Sequence, residues 1–295
     1  MASAKRIFAL GFFDGVHLGH QALLSQCAAL AEKTGAQTAA ITFDRHPRSL
    51  LMDTPPVLIS TLPDRLRLLK AFGMEYIEVL PVNEQVMSTS WEAFLLHLLQ
   101  QGAAGFVCGE DFRFGHRGQG NASLLKEFCE ERGLPCVIVG QQSLKGIRIS
   151  STYIRRQIEE GDMATAVTFL GHPLTLTGTV VRGQQLGRTL GIPTANLRLP
   201  EGVAAPKYGV YVCRCLIDGK AYPAVTNVGT RPTVSGQGIT VEPWILDYSG
   251  DLYGREITLE FYRFLRSEQK FPTLEALKER IHQDARETRE FLSRL

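Results

Sequence analysis

Two imidazoles lie within one turn of each other in the segment Gly11-Phe12-Phe13-Asp14-Gly15-Val16-His17-Leu18-Gly19-His20. An apolar run precedes the segment and a helical pattern follows it, so His17 and His20 stand at the opening of a helix. The N-H groups and positive dipole end found there favour anions. Gly11 and Gly19 let a nucleotide approach the backbone closely, with Phe13 and Asp14 in the same turn. The chemistry that fits is polyphosphate transfer, with imidazole N-H groups donating to charge that develops on phosphorus. Two other readings stay open at this point, a capping or packing pair and a metal pair. The metal reading lacks an HExxH pattern and an obvious third ligand.

A second cluster, Arg148-Ile149-Ser150-Ser151-Thr152-Tyr153-Ile154-Arg155, also opens a helix and brings three hydroxyls and two guanidinium groups together. Ser and Thr are common helix caps. Two anion-adapted helix starts in one α/β region are nevertheless best explained by one triphosphate held between them. A third stretch, Gly187-Arg188-Thr189-Leu190-Gly191-Ile192-Pro193-Thr194-Ala195-Asn196-Leu197, is a loop fixed by Gly and Pro. Its Thr194 and Asn196 offer neutral oxygens two residues apart, which suit Mg²⁺ bound jointly with ATP phosphates, although Thr and Asn also cap turns. Residues 183–189 lack the spacing and lysine of a P-loop, and no GxGxxG is present.

Short apolar runs at residues 7–10, 39–43, 76–80, 105–108 and 136–139 alternate with amphipathic stretches at 21–34, 63–72, 91–100 and 122–132. In the first of these helices Leu23, Leu24, Cys27, Leu30 and Ala31 share a side. This alternation predicts a doubly wound parallel sheet whose ligands gather at the carboxyl ends of the strands. A helical segment spans 151–169. Beyond it, alternating runs at 175–181, 209–217, 221–228, 239–247 and 256–261, separated by Gly and Pro, predict a small antiparallel barrel or sandwich. Leu274, Leu277, Ile281 and Phe291 among charged residues predict a closing helix over 273–295. The boundary falls near 171–173.

A length of 295 residues favours two cores over one. Hydrophobic residues at 44% and charged residues at 21% describe an ordinary globular chain. The balance of 32 Lys and Arg against 30 Asp and Glu is too even to mark nucleic acid or an anionic membrane as partner. The early apolar run at 7–13 ends at Asp14, too short for a membrane span and without a small-residue cleavage site, so a cytoplasmic location is expected. Six cysteines without a CxxC pair read as reduced, buried thiols. The sequence carries no marker of oligomeric state.

The motifs as a set resemble those of bacterial bifunctional riboflavin kinase/FAD synthetases. Residues 11–20 resemble that family's GxFDGVHxGH signature and residues 148–155 its SSTxIR segment. Thr42-Phe43-Asp44-Arg45-His46-Pro47 resembles TFDPHP, with Arg45 in place of the usual proline, and Gly109-Glu110-Asp111-Phe112-Arg113-Phe114-Gly115 resembles GxDFxFG. The stretch 187–197 resembles the GRxLGIPTANL element of riboflavin kinases, and segments 227–233, 246–254 and 266–271 extend the likeness across the chain.

The resemblance implies an α/β nucleotidylyltransferase domain with a Rossmann-like parallel sheet over 1–171. It implies an antiparallel β-barrel riboflavin kinase domain with a C-terminal helix over 172–295. In the first, the FMN phosphate attacks the α-phosphorus of ATP to give FAD and pyrophosphate. His17 and His20 are then the catalytic donors, Ser151, Thr152 and Arg155 hold the β- and γ-phosphates with Arg148 nearby, and Asp111, Phe112 and Phe114 line the flavin or adenine pocket unless the rings are core. In the second, ATP phosphorylates riboflavin, Gly187, Thr194 and Asn196 bind ATP and Mg²⁺, and Glu242 acts on the 5′-hydroxyl. Trp244 stands where many relatives have histidine. Competing expectations are a barrel that binds flavin without kinase activity, and a non-enzymatic flavin or RNA binder.

Overall fold

The computed structural model describes residues 4–50, 52–182, 191–233 and 236–295. The chain forms two compact units, Met1–Val57 with Arg65–Ser151, and Leu58–Asp64 with Thr152–Leu295.

In the first unit the chain runs β1 (Arg6–Leu10), α1 (Leu18–Thr34), β2 (Gln37–Phe43), α2 (Leu62–Ala71), β3 (Tyr76–Leu80), α3 (Trp91–Gln100), β4 (Ala103–Gly109), α4 (Ala122–Glu131) and β5 (Cys136–Val139). The five strands are all parallel, in the order β3-β2-β1-β4-β5. Ile7, Phe8, Ala9 and Leu10 are all buried because helices cover both faces of the sheet. Alternate side chains then serve two cores. Phe8, Leu10 and Ile41 pack with Leu95, Leu98 and Leu125, while Ile7, Ala9 and Ala40 pack with Leu23, Leu24, Cys27 and Leu69.

The helical stretch expected over 151–169 is two helices, α5 (Ser151–Glu160) and α6 (Met163–Leu170). Gly161 adopts φ 86° between them, and the Asp162 carboxylate accepts from the Thr165 N-H at 3.1 Å to start the second. The second unit continues with β6 (Leu174–Thr179), β7 (Leu197–Arg198), β8 (Gly209–Ile217), β9 (Lys220–Thr233), β10 (Gly236–Ile245), β11 (Glu256–Arg266) and the closing helix α7 (Leu274–Leu292). These six strands form an antiparallel sheet in the order β6-β11-β8-β9-β10-β7. The Val181 N-H donates to the Asn196 carbonyl at 2.9 Å, which draws the two edge strands together into a nearly closed barrel. Asp284 of α7 is wholly buried and accepts from Arg266 at 2.8 Å and from Arg280 at 2.9 Å, tying the helix to the end of β11.

All six cysteines are thiols, and only Cys136 is not fully buried. Among the described residues no helix is long and apolar enough to cross a membrane.

Candidate active sites

Strand order reverses between β1 and β4, and an open parallel sheet leaves a crevice beyond the carboxyl ends at such a point. A cavity of about 170 Å³ lies there, lined by His17, Gly19, His20, Asp111, Arg148 and Ser151 and by the loop after β5. Ser151 reaches it although 137 residues separate it from Asp14, whose carbonyl accepts from the Ser151 hydroxyl at 3.1 Å.

The turn between β1 and α1 is under backbone strain. Phe13 and Val16 adopt φ of 61° and 39°, unfavourable for residues with a Cβ. A Cβ at position 11 would crowd the Phe13 ring at 3.0 Å, and one at position 19 would crowd the His17 ring at 3.2 Å. The Phe13 side chain is wholly buried in the core. Any role for Phe13 at the nucleotide is therefore a backbone one. Helix α1 begins at Leu18, before the expected 21, because the His17 side chain caps it: Nδ1 accepts from the His20 N-H at 3.3 Å. With Nδ1 accepting, the neutral ring carries its proton on Nε2.

The His17 and His20 rings stack at 3.7 Å, and the Phe13 ring meets His20 edge-on at 5.3 Å. Burial, then His17, then Arg65 hold His20 well below the ordinary imidazole value, so it is neutral at pH 7. Arg148 is ion-paired with Asp111 at 2.6 Å, both exposed. Thr152 and Arg155 belong to the second unit, where the Arg155 guanidinium donates to the Thr152 hydroxyl at 3.2 Å. Phe112 and Phe114 stack on each other at 5.4 Å, Phe114 is buried in the core, and neither lines the cavity. At the departure from TFDPHP, the Arg45 guanidinium donates to the Val82 carbonyl at 2.8 Å, so a side-chain anchor stands in the loop where proline would stiffen it.

In the second unit a cavity of about 570 Å³ is lined by Thr194, Asn227, Glu242, Trp244, Arg266 and residues 268–271, with Leu277, Ile281 and Asp284 from the closing helix. That volume suits a drug-sized ring system, whereas the first cavity holds little more than a phosphate chain. Glu242 is only 7% exposed and pairs in register with Asn227. Leu197 pairs with Val241, and the Ala195 N-H donates to the Pro243 carbonyl at 2.9 Å, which sets Asn196 opposite Glu242. Thr194, Asn227 and Glu242 line the cavity, whereas Asn196 is not among its lining residues. Side-chain oxygens of this kind are the donor chemistry of a hard cation that arrives with phosphates. Trp244 meets His282 of α7 edge-on at 5.6 Å, so the position that departs from the family pattern packs against the helix. Gly187 lies outside the described residues.

The FAD synthetase family model matches residues 1–153, and the riboflavin kinase family model matches residues 170–292. The chain belongs to the bifunctional riboflavin kinase/FAD synthetase family. A bifunctional riboflavin kinase/FMN adenylyltransferase of Listeria monocytogenes is 35% identical, over 99% of this chain and 94% of that protein. One of Escherichia coli strain K12 is also 35% identical, over 97% of this chain and 92% of that one. A crystal structure of a Streptococcus pneumoniae protein described as a macrolide-efflux protein matches with TM-score 0.87 and 31% identity, covering 98% of this chain and 95% of that one. As a member of the family this chain is an enzyme with two activities, riboflavin kinase and FMN adenylyltransferase.

Sequence reading missed part of both walls. The loop at 140–142 and the helix residues Leu277, Ile281 and Asp284 come into the cavities through sheet order and helix docking, which no local pattern encodes. Arg65 was equally hidden. Its one local signal is a place four residues before the buried Leu69, on the apolar side of α2.

Proposed function

We propose that residues 1–171 transfer the adenylyl group and residues 172–295 phosphorylate riboflavin, with ATP as donor in both reactions. The observation that carries the reading is that each cavity gathers its own motif residues, His17, His20 and Ser151 in one, Thr194 and Glu242 in the other.

In the kinase site the 5′-hydroxyl of riboflavin is a weak nucleophile and needs a base. Glu242 takes its proton as the oxygen bonds to the γ-phosphorus, the bond from that phosphorus to the bridging oxygen breaks, and ADP leaves. Thr194 and Asn196 would hold Mg²⁺ together with the ATP phosphates, where the ion supplies charge neutralisation.

The FMN phosphate is already ionised at neutral pH, so its attack on the α-phosphorus needs no proton removed. The adenylyltransferase site accordingly uses donors. His17 through Nε2-H, and His20, give hydrogen bonds to the oxygens of the α-phosphate as pyrophosphate departs. Ser151, with Thr152 and Arg155 of α5, binds the β- and γ-phosphates, and Arg148 exchanges Asp111 for a phosphate oxygen. Asp111, Phe112 and Phe114 belong to the segment beside the flavin, the rings by supporting it. The backbone of Gly11, Phe13, Asp14 and Gly19 admits the nucleotide, and Gly187 does so in the kinase loop. ATP and the flavin nucleotides are charged, water-soluble molecules, which favours work in the cytoplasm.

The test is incubation of the purified chain with riboflavin, Mg²⁺ and ATP, followed by separation of the flavins. FMN should appear first and FAD after it. A chain that yields neither product, or makes FAD from supplied FMN but never FMN from riboflavin, overturns the two-site reading.

A further inference from the structure

Among the described residues the largest fully buried side chain is a charged one, Arg65 on the second turn of α2, with 0% exposure. Burying a guanidinium costs several kcal/mol unless its charge and its N-H groups are matched. Here the match is partial. Nη2 donates to the carbonyl of Phe43 at the end of β2, while Nε and Nη1 are buried without a hydrogen-bond partner. Burial lowers the group to about 10, against the opposing pull of Asp14 and Asp44, so it stays charged at neutral pH.

What Arg65 touches leads to the adenylyltransferase cavity. Its guanidinium carbon lies 4.2 Å from the centroid of the Phe12 ring, a cation–π contact. The same ring meets His46 edge-on at 4.9 Å, and the Phe12 carbonyl accepts from the Thr42 hydroxyl at 2.8 Å. Phe12 is thus gripped on its ring and on its backbone immediately before the strained turn at 13–16. That turn sets the Phe13 ring against His20 and ends at His17, the cap of α1. A turn with two non-glycine residues at positive φ persists only where its surroundings over-determine it. An apolar residue of similar length would fill the space at position 65, but it would neither bind the Phe43 carbonyl nor orient the Phe12 face.

We propose that Arg65 is a positioning residue for adenylyl transfer, acting through Phe12 to hold the 13–16 turn and the His17–His20 pair in place. The proposal rests on the reading of those histidines as donors to the α-phosphate.

The experiment compares Arg65→Met, Arg65→Lys, Phe12→Leu, the double variant Arg65→Met/Phe12→Leu and a His20→Ala control in the full chain. FAD formation from FMN and FMN formation from riboflavin are followed separately. Arg65→Met should lower kcat for FAD formation about 10- to 100-fold, the scale of a misplaced catalytic group, with little change in KM for FMN. Arg65→Lys should fall between it and the parent, because lysine keeps the charge without the planar fork. Kinase activity should stay at the parental level. The double variant should be no slower than the slower single one. Multiplying effects, or a folded Arg65→Met at parental kcat, overturn the proposal. Should Arg65→Met fail to fold, the cycle of Arg65→Lys with Phe12→Leu decides in the same way. A His20→Ala chain that still makes FAD normally sinks the donor reading itself, whereas loss in His20→Ala without coupling between positions 12 and 65 sinks only the role of Arg65.

Discussion

The His17 and His20 rings lie 3.7 Å apart and within 12° of parallel. Two imidazoles in that arrangement repel if both are charged, and burial, His17 and Arg65 hold His20 below the ordinary imidazole value. The proposed role of His20 is that of a neutral donor. His20→Ala should therefore reduce FAD formation from FMN by about 10² to 10³, the usual cost of one donor to a developing charge, and leave riboflavin phosphorylation intact. Single-turnover rates of both reactions on folded protein check this.

The same pair sets a pH dependence. Burial, His17 and Arg65 depress His20 in the folded state, so below the ordinary imidazole value of 6.5 the unfolded chain takes up a proton that folded His20 refuses. Its contribution to stability is present above that pH and is lost as pH falls below it. Denaturant unfolding from pH 5 to 8 should show a steeper loss at the acid end in the parent than in His20→Gln. Identical slopes would mean that His20 titrates normally.

Glu242→Ala should lose riboflavin phosphorylation by about 10² to 10⁴, the range for a general base, while supplied FMN is still converted to FAD. Glu242 is buried and lines the cavity of about 570 Å³ beside Thr194. A folded Glu242→Ala chain that makes FMN at the parental rate would remove the assignment.

Asp284→Ala leaves Arg266 and Arg280 facing a hole where a wholly buried carboxylate stood. Loss of one partner from a buried ion pair costs about 3–5 kcal/mol, so the second unit should unfold at markedly lower denaturant. Kinase activity should fall with it. Calorimetry with two resolved transitions, only the second displaced, is the expected record.

Thiol reactivity should be selective. Burial pushes Cys27 up to about 11 and Cys108 and Cys215 up to about 12, whereas the hydrogen bond from Cys129 holds the half-buried Cys136 below its ordinary value. A maleimide added to the folded chain should modify Cys136 first, as mass spectrometry of the digested protein would show. Equal labelling of Cys213 would contradict the burial on which this rests.

Period and punctuation alone gave the element types. A run such as residues 7–10, apolar on both sides, identifies a strand covered on both faces, and the alternation with helical patterns identifies a parallel sheet. The same local logic located the glycine turn with its two histidines, the Ser-Thr-Arg helix start and the Thr-Asn loop, because helix ends and tight turns demand particular residues within a few positions. Helix starts governed by an unusual cap were less legible: histidine at 17 does the work usually done by Ser or Asp, and α1 begins three residues before the periodicity suggests. What only the tertiary structure decided is which distant segments meet. Strand order brings Ser151 to Asp14, antiparallel register sets Asn196 and Asn227 on either side of Glu242, and helix docking buries Asp284 between two arginines. Arg65 belongs to the same class, since a charged residue on an amphipathic helix reads as solvated until the packing of β2 and Phe12 around it removes the water. Such pairings depend on contacts across scores of residues, and nothing in the local sequence records the free energy that selects them.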